Sequence, residues 1–251
     1  MPKKIVKSAD HELLPQITAI AGERATYGYR RVTACLNRDR RNAGLSSVNH
    51  KRIYRIMRQN QLLMAPYGRR PARVHDGKII AIRSNMRWCS DGFTITCWNG
   101  DRVAVAFALD CHDREAMSYI ASTKGVTGEM IRDLITDCLE FRFGSGQPAP
   151  KTIQWLTDNG PCYAAHDTVT FARSVNLDVC TTAPYSPESN GMAEAFVKTF
   201  KRDYVYVNEV PDAITVLARL PEWFADYNEK APHKGLGMKA PREYIRSSTA
   251  G

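Results

Sequence analysis

"TIQWLTDNG" (residues 152–160) is a short apolar run that stops on an acid and is followed at once by Asn-Gly. Ile153, Trp155 and Leu156 are strand-type residues at strand length. Asn159 and Gly160 accept the backbone conformations of a tight turn, so Asp158 projects clear of the chain where a strand ends. A carboxylate in that position is offered to whatever lies beyond the edge of a sheet.

The pattern continues downstream. A short helix is expected around 166–175, then a strand at "LDVCTTA" (177–183). "APYSPESNGMAEAFVKTFKRD" (183–203) then opens with turn formers and closes as a basic amphipathic helix. Its Pro/Ser/Gly start reads as a mobile loop that orders on a ligand. Asn190, Glu194, Lys198 and Lys201 follow one another at steps of 4, 4 and 3, which places them along one helix face. On a free helix Glu194 and Lys198 would form an exposed ion pair of about 0.3–0.5 kcal/mol. Phe196, Val197 and Phe200 fall on other sides and suit packing against a sheet. "DAITVLARLPEWFADYNE" (212–229) reads as a helix interrupted near Pro221.

Upstream, "MRWCSDGFTI" (86–95) is apolar and aromatic around a single acid, Asp91. "DRVAVAFALD" (101–110) alternates, with Val103, Val105, Phe107 and Leu109 on one face, and "NGD" (99–101) supplies a turn before it. "TGEMIRDLITDCLEF" (127–141) has Ile131, Leu134, Ile135, Cys138 and Leu139 at helical spacing, with Thr127 as a capping residue. Three early strands followed by alternating helix and strand predict a mixed α/β domain with helices on the sheet faces.

Before residue 79 the composition differs. Residues 1–80 carry 17 Lys/Arg against 5 Asp/Glu, a balance of +12, whereas the remaining 171 carry 18 against 21, a balance of −3. A basic segment on a slightly acidic body suggests a module that grips a polyanion, most simply nucleic acid. Within it, 25–63 reads as two helices separated by "NAGL". Val32, Cys35 and Leu36 stripe the first. The second, capped at Ser46 or Ser47, turns Val48, Ile53, Ile56 and Met57 inward, and Lys51, Arg52, Arg55 and Arg58 outward. This is a helix-turn-helix pattern, with basic residues of the second helix available to DNA. "APYGRRPARVHDGK" (65–78), with Arg69 and Arg70, reads as a basic linker. The expected division is therefore a helical DNA-binding module at 1–64, a linker at 65–78 and an α/β core at 79–251 with a C-terminal helical extension.

Other classes are disfavoured. No apolar run reaches the ~18 residues of a membrane span, and the N-terminus lacks a signal-peptide core, so a cytoplasmic protein is expected. Seven cysteines, odd in number and never spaced C-x-x-C, argue against a disulfide framework or a zinc ribbon and predict reduced, mostly buried thiols.

Asp91, Asp158 and Glu194 are the acids at positions suited to chemistry. Converging carboxylates repel one another unless a divalent cation is bound between them. Two Mg²⁺ or Mn²⁺ ions can activate a nucleophile and stabilise a leaving oxygen in phosphoryl transfer. Asp101, Asp110 and Asp113 compete for the role of Asp91, although Asp101 reads as a turn residue and Asp110 as the end of a strand.

Asp158 and Glu194 are separated by 35 residues, and Lys201 follows Glu194 by seven. This resembles the Asp…Asp-35-Glu signature of the retroviral integrase superfamily and its transposases. "WLTDNGPCY", "SPESNGMAEAFVKTFKRDYV" and "YNEKAPHKGLGMKAPREYI" together resemble the OrfB product of a bacterial insertion-sequence family that makes its full transposase by frameshifting between two reading frames. "YGYRRV" and "KRIYRIMRQNQLL" resemble the helix-turn-helix that precedes the integrase core there, so the likeness spans roughly 25–246. It implies an RNase H-like core, a five-stranded mixed sheet flanked by helices. It also implies a metal-binding catalytic triad of Asp91, Asp158 and Glu194, and two Mg²⁺ per site with Mn²⁺ as substitute. Asn190, Lys198, Lys201 and Arg202 would contact DNA beside the site.

The zinc-binding His/Cys domain of retroviral integrases is not matched, and no zinc is expected. Nor is the upstream coiled coil of the frameshifted fusion matched, so the chain resembles the second reading frame or the C-terminal part of the fusion. His233 lies in a family block as either a structural residue or a DNA contact. The implied activity is that of a DNA transposase. Water cleaves a phosphodiester at an element end, and the freed 3′-OH attacks another phosphodiester, first at the element's other end and later in target DNA. Double-stranded DNA ends and target are the implied partners, with at least a homodimer on DNA. The rival readings are a catalytically inactive DNA-binding regulator and a hybrid-cleaving RNase H-type nuclease.

Overall fold

The computed structural model describes residues 10–65, 81–181 and 191–249. Arg69, Arg70 and Asn190 lie outside these residues, as do most of the basic linker and most of the turn-forming stretch before Glu194.

The N-terminal part holds three helices: α1 (Leu13–Glu23), α2 (Tyr29–Asn42) and α3 (His50–Gln59). The two expected helices are α2 and α3; α1 adds a third wall. Leu13 and Ile17 of α1 join Val32, Leu36, Ile53, Ile56 and Met57 in a small hydrophobic cluster of their own. The cap of α3 is Asn49, whose side chain accepts from the Lys51 N–H, and not Ser46 or Ser47. One residue earlier, Val48 is buried and its N–H is tied to Asn37 Oδ1 at 2.7 Å, which holds the chain extended up to Asn49.

The core is a five-stranded mixed sheet. Its strands are β1 (Arg87–Thr96), β2 (Arg102–Asp110), β3 (Ala116–Ser122), β4 (Ile153–Thr157) and β5 (Leu177–Thr181), in the spatial order β3-β2-β1-β4-β5. β1, β2 and β3 form an antiparallel meander, and β4 and β5 add in parallel through helical crossovers. The crossovers are α4 (Gly128–Phe143) and the pair α5 (Pro161–Ala164) and α6 (His166–Ser174). α7 (Gly191–Phe200) continues into one π-helical turn (Lys201–Val205), followed by α8 (Ala213–Glu229), a 3₁₀ turn (Lys234–Leu236) and α9 (Pro241–Thr249).

The sheet is covered on both faces. α7 and α8 close one with Phe196, Phe200, Trp223 and Phe224 over Phe93, Val105 and Phe107. α4 and α6 close the other with Ile131, Leu134, Ile135 and Ala172 over Trp88, Ala106, Ala108 and Trp155. Val103, Val105, Phe107 and Leu109 share one face of β2 as their alternation requires, and alanines take the opposite face.

α8 runs unbroken through Pro221, against the interruption expected there. Leu220, Trp223 and Phe224, buried around the proline, hold the helix in place. The carbonyl that loses its partner belongs to Leu217, on the solvent side. Thr127 caps α4 as expected, accepting from the Met130 N–H at 3.3 Å. Thr127→Ala is expected to destabilise the chain by about 1 kcal/mol, read from the denaturation midpoint.

Candidate active site

Asp91 and Asp158 come from adjacent parallel strands. The pairing of β1 with β4 ends at Cys89 opposite Leu156, and each acid lies two residues further on, so Asp91, still paired with Phe107 of β2, stands level with Asp158 just past the end of β4. Asp91 shares a strand face with Phe93, against which α7 packs, and α7 carries Glu194 in its first turn. Each aspartate accepts from a backbone N–H close by in the chain. The Gly92 N–H donates to Asp91 Oδ1 at 2.7 Å, and the Gly160 N–H to Asp158 Oδ1 at 3.0 Å.

The Asp91 carboxyl is held above the usual carboxylate range. Burial is the main cause; the Gly92 N–H opposes it, and the charges of Asp158 and Glu194 add to it. Asp91 therefore lies within electrostatic reach of both other acids. Among the described residues, however, no three His, Cys, Asp or Glu side chains are drawn together closely enough to hold one ion. Glu194 Oε2 is ion-paired with Lys198 Nζ at 3.0 Å, both side chains being well exposed, which is the contact expected of a free helix. All three acids are hard oxygen donors, and a divalent cation would relieve their mutual repulsion, so the donor set suits Mg²⁺ or Mn²⁺.

The competing acids have other partners. Asp110 is fully buried and accepts the N–H groups of Asn85 and His112, both at 2.7 Å. Asp113, also fully buried, meets Ser84 at 2.6 Å and Arg142 at 3.2 Å. Asp101 accepts from Asn99 in its turn and from the Ala213 N–H at the start of α8. Glu115 joins Arg142 and Arg242, which fastens α4 and α9 to the end of β2. The cluster of acids in "LDCHDRE" (109–115) was the sequence signal for this network.

The basic residues divide similarly. Lys201 Nζ lies 5.6 Å from the centre of the Phe93 ring, on the face that carries Asp91. Arg202 pairs with Asp203 at 2.7 Å. On α3, Lys51 and Arg58 are exposed, but Arg52 and Arg55 are held by Asp10 at 2.7 and 2.6 Å. The exposed side of α3 also presents Tyr54, edge-on to Tyr29, with His50 stacked on the same ring. Sequence periodicity missed this aromatic group because Tyr29 belongs to a different helix. His233 is largely buried against Tyr227, with ring centres 4.8 Å apart. Its pKa is lowered to about 3 by burial and by Arg114 and Arg31, which outweigh Asp203. The neutral ring is packed in the fold at the join between the helical module and the core.

Comparison with known proteins accords with this arrangement. Residues 81–187 and 176–241 each match an integrase core domain, and residues 8–71 match an HTH-like domain. A chain of the simian T-cell lymphotropic virus intasome in complex with PP2A regulatory subunit B56 gamma superposes with a TM-score of 0.51. The match is at 15% identity and covers 91% of this chain and 74% of that one, a likeness of fold. The fold and these matches thus define an integrase-type core preceded by a helix-turn-helix-like module. Over 242 residues the chain is 48% identical to the transposase InsD for insertion element IS2A/D/F/H/I/K of Escherichia coli, covering 94% of this chain and 79% of that protein. It is equally similar to the InsD of element IS2-9 of Escherichia coli strain K12, covering 94% and 78%. The chain belongs to the InsD family of insertion-element transposases, and its catalytic function is that of a DNA transposase, a polynucleotidyl transferase. No helix among the described residues is long and apolar enough to cross a membrane.

Proposed function

We propose that Asp91, Asp158 and Glu194 form the metal-binding catalytic triad. On this reading the chain hydrolyses a phosphodiester at each element end and transfers the resulting 3′-OH to a second phosphodiester. The observation that carries the reading is that Asp91 within β1 and Asp158 just past the end of the adjoining β4 stand at the same level, beneath the helix that bears Glu194. When bound, two Mg²⁺ ions (or Mn²⁺) would supply activation of the attacking oxygen and charge neutralisation at the leaving one. The chain's own residues do the rest. Asp91 and Asp158 present fixed carboxylates, and Glu194 releases Lys198 to join them. Lys198, Lys201 and Arg202, with Asn190, then face the phosphates flanking the scissile bond. Catalysis of this kind needs no protein nucleophile, only positioning and charge stabilisation.

The same reading divides the chain into a helical DNA-binding module (1–64), a linker (65–78) that carries Arg69 and Arg70 along the DNA, and the catalytic core (79–251). The separate hydrophobic cluster of α1–α3 supports this division. The substrate is double-stranded DNA, at element ends and at target. Bringing two ends together requires at least a dimer on DNA.

On α3, Lys51 and Arg58 are the primary phosphate contacts, because Arg52 and Arg55 are engaged by Asp10. Lys51→Ala and Arg58→Ala should each weaken end binding and lower the slope of log affinity against log salt by about 1. Salt-titrated gel shifts measure this, and an unchanged slope in both variants would place the DNA elsewhere. The reading as a whole is tested by incubating the chain with end-labelled element DNA and Mg²⁺. A nick leaving a 3′-OH at the element boundary is the expected product; specific binding without a nick would favour the inactive regulator.

A further inference from the structure

We propose that Ser90 and Tyr163 are positioning residues that set the separation of Asp91 from Asp158, and through it the affinity of the site for its divalent cation. The inference rests on the triad assignment above and extends it to two residues that touch neither substrate nor metal.

The paired backbone of β1 and β4 ends before the acids, at Cys89 and Leu156. Strand pairing therefore does not itself fix Asp91 against Asp158. What crosses the gap is a side-chain bond: the hydroxyls of Ser90 and Tyr163 lie 2.8 Å apart, with Ser90 fully buried and Tyr163 6% exposed. Ser90 immediately precedes Asp91, and its side chain points to the opposite face of the sheet. Tyr163 belongs to α5, which begins immediately after the Asp158 turn.

That turn links Tyr163 back to Asp158. The Tyr163 N–H donates to the Gly160 carbonyl at 3.0 Å, and the Gly160 N–H donates to Asp158 Oδ1 at 3.0 Å. A Cβ on Gly160 would stand 3.0 Å from Asp158 Oδ1 and 3.5 Å from Tyr163 Cδ2, so acid, glycine and ring are in close contact. Contacts thus run without a break from Asp158 through Gly160, Tyr163 and Ser90 to Asp91. Around the two hydroxyls the cluster is apolar, with Trp88, Trp155, Ile131 and Ala172 among its members. Phenylalanine at 163 would keep the same ring packing in that cluster. The directional bond is what the polar pair adds. Mg²⁺ demands near-ideal octahedral geometry, so the spacing of two of its carboxylates bears directly on its affinity.

The test uses the full chain with Mn²⁺ alone as probe, free Mn²⁺ being counted by electron paramagnetic resonance. Tyr163→Phe keeps the ring and removes the hydroxyl; Ser90→Ala removes the other partner. Either variant should raise the half-saturating Mn²⁺ concentration roughly tenfold, as loss of groups that orient metal ligands commonly does. The double variant should lose no more than the singles, since both break the same bond. The Mg²⁺ concentration needed for half-maximal cleavage should rise in parallel, with end binding unchanged. Wild-type Mn²⁺ affinity in both single variants, whatever their melting temperatures, would overturn the proposal. Asp158→Asn is the comparator. Should it abolish Mn²⁺ binding while Tyr163→Phe and Ser90→Ala both keep wild-type affinity, the positioning role alone fails. Should it too leave binding intact, the triad assignment fails and the inference with it.

Discussion

Asp158→Asn is expected to lower strand cleavage at an element end by about 10³-fold or more, the loss of roughly 4 kcal/mol of transition-state stabilisation. End binding should remain nearly intact. The asparagine keeps the shape and can still accept from the Gly160 N–H, but it removes the charge that would hold a divalent cation. Glu194→Gln should behave likewise, with a further sign of its own: the Lys198 ion pair is broken, yet that exposed pair is worth only about 0.3–0.5 kcal/mol, so the fold should hardly respond. Labelled end DNA with Mg²⁺ resolves the products, and gel shift on the same samples reports binding. Appearance of 3′ ends at wild-type rate from either variant would remove these residues from the mechanism.

Asp203→Ala is expected to destabilise the chain by about 3–5 kcal/mol, the usual effect of stranding a buried charge. Asp203 lies in the π-helical turn that continues α7, with its side chain 2% exposed, and accepts from Thr26 at 2.6 Å, Arg31 at 2.7 Å and Arg202 at 2.7 Å. Next to it, Asp226 of α8 receives both terminal nitrogens of Arg24 at 2.7 Å and the Tyr204 hydroxyl at 2.9 Å. Arg24 precedes α2 and Arg31 lies within it, so these pairs join the helical module to the core.

The pH dependence follows from the same pairs. Burial alone would raise both carboxyls, but Arg202, Arg31 and Thr26 outweigh it at Asp203, and Arg24 and Tyr204 at Asp226; both end below the ordinary range. A carboxyl depressed on folding contributes stability that is complete above its unfolded value, near ~4, and is lost as pH falls through its folded value. Wild-type stability should therefore decline below about pH 4, and Asp203→Ala should show a shallower decline. Chemical denaturation across pH 3–7 measures both effects; parallel curves for the two proteins would show that Asp203 does not govern acid unfolding.

How much of this was legible beforehand depended on whether the signal was local. Strand alternation in "DRVAVAFALD", helical spacing in "TGEMIRDLITDCLEF" and the turn after Asp158 are properties of neighbouring residues, and they appear in the structure as read. Pro221 misled because the cost of a proline is local, whereas the buried Leu220, Trp223 and Phe224 that offset it are tertiary. The cap of α3 was misplaced because Val48 is kept extended by Asn37, eleven residues away. Likewise, the four basic residues of α3 looked equivalent until Asp10 engaged two of them.

By itself the sequence determined the class of fold, the acids worth considering and the basic character of the N-terminal module, because periodicity, turn chemistry and net charge are written along the chain. The tertiary structure alone decided which charges are consumed internally. Asp110, Asp113 and Asp203 are buried and Asp226 half-buried, with partners drawn from distant segments, whereas Asp91 is left beside Asp158 and Glu194, whose charges raise it. The physical reason is that burying an unpaired charge is costly, and where each charge finds its partner is settled only when remote segments pack.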